Sequence, residues 1–98
     1  MNYSHINEAK KQIEVLTATI ETATAEIKRL EKEIRRAELN AEMNTIEAQM
    51  IKNDMLIDTL RNKFEDDAAA EQVIGKLKKE NAKLDAEWHK VFGVYFNL

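Results

Sequence analysis

The sequence predicts an all-α protein, with a long N-terminal coiled-coil helix and a C-terminal helix folded back on it as an antiparallel helical hairpin. Two observations predict this fold. Apolar residues recur at alternating steps of three and four, the spacing of a helix that buries one narrow stripe. The 98 residues also include only two glycines and no proline, so the turn signals that separate β-strands are missing.

The first apolar stripe, here called the Ile seam, runs from residue 6 to residue 37. Isoleucines recur every seven residues, and an alanine or a leucine follows each of them three positions later. Five heptads of this strict period predict a coiled-coil interface, because the stripe of a lone surface helix drifts away from a seven-residue repeat. The residues expected to form the oligomer interface are Ile6, Ile13, Leu16, Ile20, Ala23, Ile27, Leu30, Ile34 and Ala37, and Ala9 lies at the corresponding position of the first heptad.

The charges beside the Ile seam favour an antiparallel homodimer over a parallel one. In a parallel pair, Glu26 faces Glu31 and Glu33 faces Glu38, which places like charges together twice. One antiparallel register instead brings Lys10 near Glu31 and creates no repulsive pair. The register stays open at this point, since other pairings fit almost as well, and a different protein could also complete the seam.

A second and a third apolar stripe predict the hairpin. They run from Leu39 to Phe64 and from Ala70 to Tyr95, and folding the chain back at Asp67 pairs them layer by layer. Their only polar layer sets one asparagine amide against another, so that each can satisfy its partner. The residues expected in the hairpin core are Leu39, Met43, Ile46, Met50, Asn53, Ile57, Leu60, Ile74, Leu77, Asn81, Leu84, Trp88 and Val91.

The boundaries of the two helices follow from their capping signals. Asp66 or Asp67 can cap the second helix at its N-terminus, where acidic residues are favourable. Gly93 suits the position just after a helix C-terminus. A single helical unit is therefore expected, with a first helix over residues 3–64, a turn at 65–67, a second helix over 68–93 and an apolar tail at 94–98.

The sequence also predicts a candidate surface for a further protein. The phase of the Ile seam continues beyond residue 37, so that between residues 39 and 55 one helix carries two apolar faces. The second of these faces has no expected cover within the hairpin, and the apolar tail either packs near Leu39 or serves as a docking segment for another protein. The candidate partner surface consists of Ile51, Met55, Leu56, Tyr95, Phe96 and Leu98.

Other patterns are weaker signals. Asn81 between Leu77 and Leu84 also resembles the buried asparagine of a parallel zipper, although Asn53 offers it a partner within the chain. Asp85 and His89 share a helix face, but two ligands do not make a metal site, and no cofactor is expected.

Two basic clusters provide the only indication of nucleic-acid binding. Interleaved glutamates compensate both clusters, and the formal net charge is −3, so solvated helix faces are the favoured interpretation. The clusters are Lys28, Arg29, Lys32, Arg35 and Arg36, and then Lys76, Lys78, Lys79 and Lys83.

These observations predict a non-enzymatic coiled-coil interaction or oligomerisation protein, adaptor-like or scaffold-like, that self-associates through the Ile seam. An alternative is a small regulator or inhibitor, of the kind found in phages and accessory elements, whose helices dock onto a larger host complex. A nucleic-acid accessory factor is a weaker alternative. The absence of cysteine, of an apolar signal segment and of any apolar run of roughly 18 residues predicts a cytoplasmic protein without a membrane partner.

Overall fold

The structure, a computed structural model that describes residues 3–98, has the predicted all-α hairpin architecture. Helix α1 spans Tyr3–Lys63 and helix α2 spans Ala68–Phe96. The chain divides into two compact units between Arg35 and Arg36. In the described residues, the first unit consists of the N-terminal part of α1, whereas the second contains the remainder of α1 and all of α2. Within residues 3–98, neither helix contains a segment that is both long and apolar enough to cross a membrane.

Two aspartates form the turn between the helices. After α1 ends at Lys63, Asp66 adopts a left-handed backbone conformation with φ of 60°. Aspartate is one of the few non-glycine residues that tolerate this region, which explains how a turn without glycine can form. Asp67 then caps α2, because its Oδ1 accepts hydrogen bonds from the backbone N–H groups of Ala69 at 2.8 Å and Ala70 at 3.1 Å.

The C-terminus of α2 lies beyond the predicted position. The expected end at Gly93 is wrong: the helix continues through Val94 and Tyr95 to Phe96. Glycine inside a helix costs only about 1 kcal/mol relative to alanine, so it does not compel termination. Asn97 provides the cap instead, since its backbone N–H and its side-chain Nδ2 donate to the carbonyl of Gly93 at 3.2 and 2.8 Å.

The core of the second unit follows the hairpin seam. Most seam residues of α1 are buried, while those of α2 beyond the first two turns are half-buried. With only two helices in this unit, neither has a third element against its outer edges, so partial exposure of many seam residues is expected. The buried residues are Leu39, Met43, Ile46, Asn53, Ile57, Ala70 and Ile74, and the half-buried ones are Met50, Leu60, Leu77, Asn81, Leu84, Trp88, Val91 and Tyr95.

Phe64 departs from the layer that the sequence pattern assigned to it. The pattern placed Phe64 against Ala70 as the last hairpin layer. Ala70 is buried, but Phe64 lies just after the end of α1 and is 50% exposed. Once the backbone leaves the helix, a side chain no longer follows the heptad phase, so the last regular layer on α1 is that of Leu60.

The polar layer of the hairpin forms as the register predicts. Asn53 is only 2% exposed, and its Nδ2 donates to Asn81 Oδ1 at 2.8 Å. Gln49 Nε2 donates to the Asn53 oxygen at 3.0 Å, while Asn81 Nδ2 donates to Asp54 Oδ1 at 2.9 Å and to the Met50 carbonyl at 3.3 Å. In the described part of the chain, every buried side-chain nitrogen or oxygen has a hydrogen-bond partner. The pair therefore fixes the register of α2 against α1 without leaving a buried polar atom unsatisfied.

We expect the two asparagines to be strongly coupled in stability. Asn53→Leu alone removes a partner of Asn81 and should lower the free energy of unfolding by about 1–3 kcal/mol. Asn53→Leu combined with Asn81→Leu should recover most of that loss, because neither asparagine amide is then left without the other. Urea unfolding followed by the fluorescence of the single tryptophan measures both values. Asn62→Leu, at an exposed position of α1, is the matched control, and additive losses in the double variant would contradict the coupling.

Candidate protein-interaction surface

The Ile seam lies uncovered along the first unit. Its seven isoleucine and leucine side chains from residue 6 to residue 34 are each 43–65% exposed in the single chain. Their heptad spacing on a regular helix aligns them along one face, so that they form a continuous apolar stripe. A helix by itself cannot bury such a stripe. The large residues of the stripe are Ile6, Ile13, Leu16, Ile20, Ile27, Leu30 and Ile34.

Threonines and alanines give the middle of the first unit short side chains. Four threonines lie between residues 17 and 24, and each donates its hydroxyl to the backbone carbonyl four residues earlier, at 2.8–2.9 Å. A hydroxyl bonded in this way is satisfied by its own helix, so it does not require a polar partner from another chain. These short side chains would let a second helix approach closely. The four residues are Thr17, Thr19, Thr22 and Thr24.

An intrahelical ion network lies beside the seam toward the end of the first unit. Arg29 Nε donates to Glu26 Oε2 at 3.1 Å, and Nη2 donates to the other oxygen of the same carboxylate. Its Nη1 donates to Glu33 Oε1 at 2.5 Å. The hydrogen bonds from Arg29 lower the pKa of Glu26, and the two carboxylates raise the pKa of Arg29. The guanidinium of Arg29 is thus paired with two glutamates of its own helix. It is therefore a poor candidate for contacting a nucleic-acid phosphate.

The titration of Glu26 provides a test of this network. Because the pKa of Glu26 is lower in the helix than in the unfolded chain, its ionised form stabilises the helix at a pH above the pKa of the unfolded chain. This contribution is lost as the pH falls through the lowered pKa of the helix. Arg29→Gln should return the pKa of Glu26 toward its ordinary value, as measured by NMR of the side-chain carboxyl carbon. Lys28→Gln makes the same charge change on the neighbouring residue and should leave Glu26 lowered. An unchanged Glu26 titration in Arg29→Gln would disprove the assignment.

The second unit carries the candidate partner surface, and its six residues differ in exposure. Ile51, Met55 and Leu56 are each more than half exposed, on the surface of α1 that α2 leaves open. Phe96 is 76% exposed at the end of α2, whereas Tyr95 and Leu98 are half-buried. The structure therefore leaves four of the six available to another molecule.

An aromatic row on α2 was not recognised from the sequence. Trp88 and Phe92 stack with their ring centroids 5.2 Å apart and their planes 7° from parallel, and Phe92 and Phe96 follow at 6.1 Å. Trp88 Nε1 donates to Glu47 Oε1 of α1 at 2.9 Å, which ties the row to the hairpin. The i, i+4, i+8 spacing of the three aromatic residues is visible in the sequence, but Phe92 lies outside the heptad seam on which the prediction concentrated.

The candidate metal pair gains no further ligand in the part of the chain that the structure describes. His89 Nδ1 lies 2.8 Å from the backbone carbonyl of Asp85 and 3.6 Å from its Oδ1. Over residues 3–98, no group of three or more histidine, aspartate or glutamate side chains converges on one point. The structure gives Asp85 and His89 the geometry of a local helix contact.

Comparison with known proteins gives no assignment. The chain matches no protein-family model, no curated protein and no solved structure.

Proposed function

We propose that this protein is a non-enzymatic coiled-coil interaction protein that self-associates through the Ile seam and presents the second unit to another protein. One observation carries the proposal: seven large apolar side chains at heptad spacing are 43–65% exposed along a single helix. Complete burial of an isoleucine or leucine side chain contributes about 1.5–3 kcal/mol, so covering this stripe supplies a strong driving force for association.

The first unit also needs a partner helix to persist in water. Isolated helices gain little stability from backbone hydrogen bonding alone, and most helical stability in proteins comes from packing of the apolar face. Over the described part of the first unit, residues 3–35, no second helix is present to provide that packing. A second copy of the chain offers an identical seven-residue repeat, and two-fold homodimers are the commonest oligomers.

The adaptor part of the proposal rests on the second unit. Ile51 and Met55 lie one helical turn apart on α1 and are both more than half exposed. Methionine is flexible and polarisable, which suits a surface that must fit another protein. The exposed Phe96 at the end of the aromatic row offers a second apolar contact. In this proposal the Ile seam joins copies, and these residues recruit a different protein.

Substitution at two equally exposed positions tests self-association. Ile20 and Val15 are both 65% exposed, but only Ile20 belongs to the Ile seam. Ile20→Asp places an unpaired charge in the interface and should weaken the dimer by about a hundredfold or more. Val15→Asp introduces the same charge outside the seam and should leave the dissociation constant nearly unchanged. Sedimentation equilibrium on the full chain measures both.

The fluorescence of Trp88 confirms folding in the same samples. Trp88 reports on the hairpin through its stacking and its bond to Glu47, so both variants should retain the native spectrum. Equal weakening by the two substitutions would contradict a seam-specific interface. A native chain that stays monomeric at all concentrations would overturn self-association and favour the regulator alternative, in which a helix of a larger complex completes the seam.

A further inference from the structure

The positions that flank the Ile seam differ in charge between its two halves. In the first half, the flanking residues include Lys10 and Gln12 and no acidic residue. In the second half, four flanking positions are acidic. Flanking side chains face the partner helix in a coiled coil and set its orientation. The acidic flanking residues are Glu26, Glu31, Glu33 and Glu38.

Between the charged halves lies a Thr/Ala segment, residues 17–24, whose flanking positions carry short, uncharged side chains. Thr17, Thr19 and Thr24 occupy the flanking positions, and their hydroxyls are bonded to backbone carbonyls of their own helix. Ala23 lies on the seam itself. The hydroxyls of this segment therefore need no hydrogen-bond partner from another chain, and its short side chains let the backbone of a partner helix approach closely.

We infer that the Ile seam is covered by an antiparallel second copy whose two-fold axis passes between Glu21 and Thr22. The inference rests on the proposed self-association and adds its orientation and register. The two Thr/Ala segments then cross each other at the axis, where the helices come closest.

This register gives every residue of the Ile seam a partner. Each layer contains one isoleucine, opposed by an alanine or a leucine, so the volumes of successive layers stay balanced. In each layer, the first residue named belongs to one copy and the second to the other. The layers are Ile6 with Ala37, Ala9 with Ile34, Ile13 with Leu30, Leu16 with Ile27 and Ile20 with Ala23.

The same register places opposite charges together. Lys10 of each copy faces Glu31 of the other, giving two attractive pairs in the dimer. Among residues 3–98 of a single chain, neither of these side chains makes a hydrogen bond or ion pair, so both are available. In this register Glu33 lies near the uncharged Gln12 of the other copy, so no like charges meet there.

The competing arrangements are less favourable. A parallel dimer sets Glu26 against Glu31 and Glu33 against Glu38 on both sides. Moving the antiparallel axis one half-heptad toward the C-terminus, to about residue 25, places Glu26 of one copy against Glu26 of the other. Moving it equally far toward the N-terminus removes Ile34 and Ala37 from the paired layers. Only the axis between Glu21 and Thr22 combines complete pairing with attractive flanking charges.

The inferred register defines a spacing. At a rise of 1.5 Å per residue, the two Arg35 residues, after which the second unit of each chain begins, lie about 40 Å apart along the axis.

Charge exchange at one pair of positions tests the orientation. In the antiparallel register, Glu31→Lys sets lysine against Lys10 and should weaken the dimer of the full chain by about tenfold. In a parallel dimer the same change relieves repulsion from Glu26 and strengthens association. Lys10→Glu should also weaken the dimer, and Lys10→Glu with Glu31→Lys should restore it. Lys11→Glu, on the solvent face next to Lys10, is the control and should have little effect.

Distances between spin labels locate the two-fold axis. The chain has no cysteine, so Lys11→Cys, Ala25→Cys and Lys32→Cys each introduce one labelling site on the solvent face. Labels at residues 11 and 32 should give equal distances, with an axial component of about 32 Å, and residue 25 a shorter one of about 10 Å. Equal distances at all three positions would show a parallel dimer and overturn the inference.

The two proposals can fail separately. If the full chain does not dimerise, self-association and the inference built on it are both wrong. If a tight dimer forms but Glu31→Lys strengthens it, or if residues 11 and 32 give unequal distances, then the proposed function stands while the orientation or the register inferred here is overturned.

Discussion

An apolar stripe on a helix is stable in water only where another element covers it, and helix α1 carries two such stripes in different phase. Within the second unit, α2 covers one of them and buries Leu39, Met43 and Ile57. The large apolar side chains of the Ile seam, on the first unit, are instead 43–65% exposed in the single chain. This contrast underlies the proposed function, because the same physical demand that folds α2 back onto α1 also calls for a partner along the seam.

The hairpin could be derived from the sequence because its register has one polar layer. Asn53 and Asn81 come together only if the chain reverses close to Asp67, and the structure forms that bond at 2.8 Å. The turn itself was less predictable, since the left-handed conformation of Asp66 depends on how two long helices constrain their connection.

The errors in the prediction have local causes. Gly93 is a frequent helix terminator, but the helix continues to Phe96 because Asn97 caps it one turn later. Phe92 lies outside the heptad pattern that predicts the hairpin core, and its ring instead stacks on Trp88 along the helix. Capping and aromatic stacking depend on side-chain conformation, which spacing in the sequence does not determine.

The covered and uncovered stripes also differ in how their register is encoded. The hairpin core contains a hydrogen-bonded amide pair, which penalises every misaligned pairing. The Ile seam contains only isoleucine, leucine and alanine, so its layers would tolerate a shift of one half-heptad with little loss of packing. Its orientation and register must then come from the flanking positions and from how many layers a given alignment fills. Lys10 and Glu31 therefore carry more information about the arrangement of the proposed dimer than any residue in its core, although the core supplies nearly all of its affinity.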